Sequence, residues 1–105
     1  MKEVTVQELK ALKDAHADFQ LIDVREPFER ALCAIRGSTH IPLQQIPERA
    51  STLRKGSHLL IYCHHGGRSM RAVQFLMKQG YTNCKNLAGG IDDWSAQIDP
   101  DVPRY

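Results

Sequence analysis

The sequence lacks what would mark it for a membrane, for nucleic acid or for secretion. No apolar stretch approaches the ~20 residues that a membrane span needs. The opening residues, Met1-Lys2-Glu3-Val4, carry no apolar signal core, so a cytoplasmic protein is expected. No basic run exceeds two residues, and a formal charge of +2, from 14 Lys and Arg against 12 Asp and Glu, is too mild to argue for nucleic acid. Cysteine is scarce. The three present, Cys33, Cys63 and Cys84, are odd in number, far apart and without a Cys-x-x-Cys pair. That argues against a disulfide framework and a structural zinc site, and for a reduced compartment with one reactive thiol. Repeats and low-complexity tracts are also missing.

What is present fits an ordinary globular chain, with 42% apolar and 25% charged residues. Its 105 residues point to one domain over 1–105, with a monomer as the default and an extended tail from about 98 to 105 around Pro100 and Pro103. A domain of this size buries roughly 60–70% of the surface of its unfolded chain, enough for a core without disulfides.

Short apolar runs alternate with helical patterns, which favours a parallel α/β sheet. Thr5-Val6-Gln7-Glu8 reads as a capping box that starts a helix over 6–14. Phe19-Gln20-Leu21-Ile22 reads as a buried strand ending at Asp23, and Pro27 suits the first turn of a short helix over about 28–32. Thr39-His40-Ile41 is a weak strand, and 47–53 a short helix. His58-Leu59-Leu60-Ile61-Tyr62 is the clearest strand, apolar enough for burial on both faces. The clearest helix spans 68–79, with Ala72, Val73, Leu76 and Met77 on one face and Gly80 as its stop. A last strand over 83–87 and a helix over 91–96 complete the reading, with Cys84, Ile91 and Trp94 assigned to the core.

Between the best strand and the best helix lies Cys63-His64-His65-Gly66-Gly67-Arg68-Ser69. Ligands of open α/β sheets bind just beyond the carboxyl ends of strands. A following helix presents unpaired N–H groups and partial positive charge there. Gly66 and Gly67 let the backbone curl into an anion nest. The expectation is a thiolate at Cys63 in a cup sized for a small anion, with Arg68 as a charge at the rim or as the anchor of the loop. An inert cysteine at a glycine turn is the plainer reading, but a mere turn needs none of these cations. His64 and His65 are expected to line the mouth, with simple exposure as an alternative. Asp23 should share the sheet edge with Cys63, orienting Arg25 or Arg68 or capping a turn. Arg25 and Glu26 read as a structural ion pair.

At these residues the sequence resembles the rhodanese family of sulfurtransferases. Leu21-Ile22-Asp23-Val24-Arg25-Glu26-Pro27, Cys63 to Arg68, and Leu87-Ala88-Gly89-Gly90-Ile91-Asp92-Asp93-Trp94 are similar to its first signature, its active-site loop and its C-terminal signature. Ile35 to Pro42 is a looser match, and Cys33-Ala34-Ile35 stands where the family usually has Gly-His-Ile. The resemblance implies a five-stranded parallel sheet with helices on both faces. It implies sulfur transfer through a Cys63 persulfide, with substrate held by His64, His65, Gly66, Gly67, Arg68 and Ser69, and support from Asp23 and Arg25. Expected partners are a small sulfur donor (thiosulfate or a persulfide), a thiol or cyanide acceptor, and a protein donor or acceptor. No cofactor and no metal is expected.

Two other readings compete. A cysteine phosphatase or arsenate reductase needs five residues between Cys and Arg, whereas four separate Cys63 from Arg68. A sulfur carrier or interaction module without enzymatic turnover also fits, with the segment from Pro100 to Tyr105 free to contact a partner.

Overall fold

The computed structural model describes residues 3–105. Five strands form one sheet: β1 (Glu3–Val4), β2 (Gln20–Asp23), β3 (Thr39–His40), β4 (Leu59–Tyr62) and β5 (Cys84–Leu87). Their spatial order is β1-β5-β4-β2-β3, and every pairing is parallel. The helices are α1 (Val6–Asp14), α2 (Pro27–Leu32), α3 (Ile46–Arg49), α4 (Gly67–Lys78) and α5 (Gly90–Gln97).

Strand alternation assigns the two cores. Ile22, Leu59 and Ile61 face one side, against Ile46 of α3 and Ala72, Val73 and Leu76 of α4. Leu21, Leu60 and Tyr62 face the other, against Val6 and Leu9 of α1 and Ile91 and Trp94 of α5. Helices therefore cover both faces, which is why β4 reads as an unbroken apolar run. α1 begins with the expected capping box: Thr5 Oγ1 accepts from the Glu8 N–H at 3.1 Å, and Glu8 Oε1 accepts from the Thr5 N–H at 2.9 Å. Among the described residues, no helix is long and apolar enough to cross a membrane.

One local expectation changes, and two features add to the reading. β1 is too short to carry a periodic signal, and forms because β5 offers it a parallel edge. The helix expected over 47–53 breaks into a 3₁₀ turn at Leu43–Gln45, α3, and a second 3₁₀ turn at Ala50–Thr52. The tail is fastened to the rest of the domain. The Ser95 hydroxyl bonds the Val102 carbonyl, and Arg104 holds Asp92 through Nε and Nη2 at 3.0 and 3.1 Å. The tail thereby turns back over the carboxyl edge of the sheet.

Register brings the carboxyl ends of the three central strands side by side. Asp23 pairs with Tyr62, and Ile61 with Asn86. Asp23, Cys63 and Asn86 therefore share one edge.

Candidate functional site

Cys63 follows β4 directly and is 1% exposed. Its sulfur accepts from the Gly66 N–H at 3.1 Å and the Ser69 N–H at 3.4 Å, and lies 3.3 Å from the Ser69 hydroxyl. Gly66 caps α4 with φ +119°, a conformation that suits glycine and aims its N–H at the sulfur. Ser69 is the third residue of α4, so its amide is one of the donors that a helix start leaves unpaired. Its hydroxyl has one proton and two neighbouring acceptors, the sulfur and Asn86 Oδ1. The loop amides turn inward because its carbonyls are held outward. Cys63 O accepts from the Ile91 N–H at 2.9 Å, His64 O from the Asp92 N–H at 3.1 Å, and Gly66 O from Asn86 Nδ2 at 3.2 Å. The start of α5 and one β5 side chain thus brace the cup from behind.

Arg68 anchors the loop. Its guanidinium grips Glu29 of α2 with two hydrogen bonds, at 2.5 and 2.8 Å. Glu29 also accepts from the Glu26 N–H at 3.0 Å and the Tyr105 hydroxyl at 2.8 Å. Arg68 and, less strongly, these further donors outweigh burial and pull the Glu29 carboxyl down to about 2.

The expected pairing of Arg25 with Glu26 is not what forms. Asp23 and Arg25 make a fully buried pair, with Nε and Nη2 at 2.9 and 2.8 Å from the two carboxylate oxygens. Residues two apart on an extended chain share a face, whereas adjacent ones point to opposite faces. Arg25 also donates to the Cys33 carbonyl at 2.6 Å and the Tyr105 hydroxyl at 2.9 Å. Burial alone would raise the Asp23 carboxyl, but Arg25 and then Arg30 hold it below the usual range. The Tyr62 hydroxyl completes the cluster, 3.2 Å from Asp23 Oδ2.

His64 is half-buried, and its ring stacks flat on that of Tyr105, with centroids 3.8 Å apart and planes 6° from parallel. Burial and then the neighbouring His65 lower its pKa. His65 is exposed, with Nδ1 3.9 Å from Asp92 Oδ2. The other cysteines stand apart. Cys84 is in the core, where burial pushes its thiol up to about 12. Cys33 packs in the core on the opposite face from that of Cys63. Among the described residues, no three His, Cys, Asp or Glu side chains are grouped to hold a metal.

The structure brings Gly66 and Ser69 to the Cys63 sulfur, ties Arg68 to Glu29 and His64 to Tyr105, leaves His65 and Gly67 exposed, and joins Asp23 and Arg25 in a buried pair at the end of β2. Sequence reasoning missed Glu29, Asn86 and Tyr105. Glu29 had a weak signal, being the third residue of a helix that opens on Pro27, where a carboxylate caps. Asn86 had a better one, since asparagine is depleted in strands and needs a reason to be there.

Acid should destabilise the protein in two stages. His58 and His64 have lowered pKa values in the fold, so the unfolded chain binds protons more readily below ~6.5 and stability begins to fall there. The Glu29 contribution is fully present above 4.5 and is lost as pH drops towards about 2, a loss of about 3 kcal/mol. Urea midpoints measured from pH 7 to 2 should show the second fall, and Glu29→Gln should flatten it. A wild-type curve level below pH 4.5 would refute this.

A five-stranded parallel α/β layer with a cysteine cupped by helix-start amides at the end of its middle strand defines a class of α/β domains with a thiol at the centre of the loop. The chain belongs to one family of that class: the Rhodanese-like domain matches residues 5–97. It is 41% identical over 78 residues to a protein named "Sulfurtransferase" from Allochromatium vinosum, covering 74% of this chain and 73% of that one. It is 35% identical over 109 residues to "Adenylyltransferase and sulfurtransferase MOCS3-1" of Zea mays, covering 97% of this chain but 23% of that relative's length. Its fold superposes on the crystal structure of SSP1007 from Staphylococcus saprophyticus with a TM-score of 0.86 at 32% identity, covering 99% and 100% of the two chains. The family is one of sulfurtransferases and sulfur carriers.

Proposed function

We propose that the protein moves sulfane sulfur through a persulfide on Cys63. The Cys63 thiolate attacks the outer sulfur of thiosulfate or of a persulfide, and sulfite or a thiolate leaves with the electron pair of the broken S–S bond. An acceptor thiol or cyanide then attacks the terminal sulfur, and Cys63 leaves as the thiolate. Two easier displacements replace one difficult transfer. The Gly66 and Ser69 amides, with the α4 start behind them, serve the sulfur that carries the charge in each step. When the Ser69 proton turns from Asn86 to the sulfur, it adds a third donor.

The observation that carries this reading is the Cys63 sulfur within reach of the Gly66 and Ser69 amides at 3.1 and 3.4 Å. The engagement of Arg68 weighs against a phosphatase, because a guanidinium paired with Glu29 is not turned to a phosphate inside the cup. Asp23 and Arg25 act as positioning residues. One chain supplies every group named, which suits a monomer, and three unpaired cysteines suit a reducing, cytoplasmic setting. A carrier whose donor and acceptor are both proteins is the second reading, favoured by a Bacillus subtilis relative named "Putative sulfur carrier protein YrkF", 32% identical over 92% of this chain.

Intact mass after incubation with thiosulfate or a persulfide donor tests the proposal. A gain of one sulfur atom, removed by cyanide and absent in Cys63→Ser, is expected. No gain with any donor, or Cys63-dependent hydrolysis of an aryl phosphate, would refute it.

A further inference from the structure

We propose that Tyr105 is the gate over Cys63 and sets the size of the molecule that reaches the thiol. The inference rests on Cys63 being the sulfur-carrying residue.

A thiol that meets a donor and then an acceptor needs an open approach, yet Cys63 is 1% exposed. Most of its surroundings are built into the fold. The Cys63 and His64 carbonyls are tied to the α5 amides, Asn86 is buried, and Arg68 is locked to Glu29. Tyr105 is attached differently. Its ring lies on His64, the residue after the thiol, while its hydroxyl reaches across to Arg25 Nη1 at 2.9 Å and Glu29 Oε2 at 2.8 Å. One side chain thereby bridges the active-site loop and α2, the two walls of the mouth.

The segment that carries Tyr105 is the one best able to move. Val102 is half-buried and fastened by Ser95, but Pro103, Arg104 and Tyr105 are all exposed, Tyr105 by 38%. Beyond Val102, the Arg104 and Tyr105 side chains bond Asp92, Arg25 and Glu29, and the Tyr105 backbone bonds His64. A stretch with little buried apolar surface opens at low cost without unfolding the rest. A small opening then admits a small anion, while a bulky thiol or persulfide must wait for Tyr105 to swing fully off His64. Tyr105 is thus a specificity residue rather than a catalytic one.

Access to the thiol can be measured without any sulfur transfer, so failure of the gate and failure of the persulfide chemistry are separate results. Cys63 is labelled with iodoacetamide (small) or N-(1-pyrenyl)maleimide (bulky), and peptide-level mass spectrometry reads Cys63 apart from Cys33 and Cys84. If the open state is a minor one, Tyr105→Ala should raise the bulky rate by at least ~10-fold and leave the small one within ~2-fold. Tyr105→Phe keeps the stack but loses both hydroxyl bonds, and should fall between. Equal changes for both reagents, or no change with the bulky one, would overturn the proposal. Should Tyr105→Ala expose Cys84 as well, a sign of general loosening, Tyr105→Phe becomes the deciding variant: a raised bulky-to-small ratio supports the gate and an unchanged ratio refutes it.

Discussion

Gly90→Ala should leave a folded protein whose Cys63 takes up sulfur at least ~100-fold more slowly than wild type. Gly90 opens α5 with φ +60°, beside the active-site loop. A β-carbon there would lie 2.5 Å from the Cys63 carbonyl oxygen and similarly close to that of His64. Ordinary contact begins at 3.4 Å, and both obstacles are backbone, so the loop must retreat by about 1 Å. The bonds from the Ile91 and Asp92 amides, which turn the loop's carbonyls outward, would stretch or break. The Gly66 and Ser69 amides would then lose their aim at the sulfur. A displacement of this size can cost ~100-fold in rate even when every side chain is kept. The stability cost, from overpacking and a left-handed residue with a β-carbon, should be about 2–4 kcal/mol. Sulfur uptake by intact mass, read alongside urea unfolding, separates the two effects. Wild-type uptake in the variant would refute the bracing role of α5.

The second large effect is on stability. Asp23→Ala should cost about 3–5 kcal/mol, a large share of the roughly 5–15 kcal/mol that holds a domain together. Both side chains of the Asp23–Arg25 pair are fully buried. Removing the carboxylate leaves the Arg25 guanidinium inside with carbonyls and one phenol, and deprives Arg30 and the Tyr62 hydroxyl of a partner. An unpaired buried charge costs more than the pair contributes. The double replacement Asp23→Leu with Arg25→Met should therefore be less damaging than Asp23→Ala alone. Urea unfolding of the three proteins decides it. A single variant within about 1 kcal/mol of wild type, or a double variant worse than the single, would contradict the argument.

These two positions show how far sequence reaches. Gly90 is visible in the sequence as half of a glycine pair, but its reason lies in carbonyls 26 and 27 positions away. Asp23 orienting Arg25 was one of the roles open in the sequence, and alternate residues of an extended chain sharing a face is the local rule that favours it. The alternative, Arg25 with Glu26, is the one that does not form. Glu29 meets Arg68 across 39 positions, and no local pattern specifies that.

The sequence by itself determined the parallel α/β layout, the α1 capping box, and the placing of Cys63 between the middle strand and a helix start. These are set by periodicity, turn chemistry and capping, which act over a few residues and are therefore written locally. Tertiary structure alone decided which groups surround the thiol: Asn86 and the Ile91 and Asp92 amides behind the loop, Glu29 on Arg68, and Tyr105 over His64. Those contacts join residues far apart in the chain. They exist only because strand order and register bring the carboxyl ends of β2, β4 and β5 to one edge.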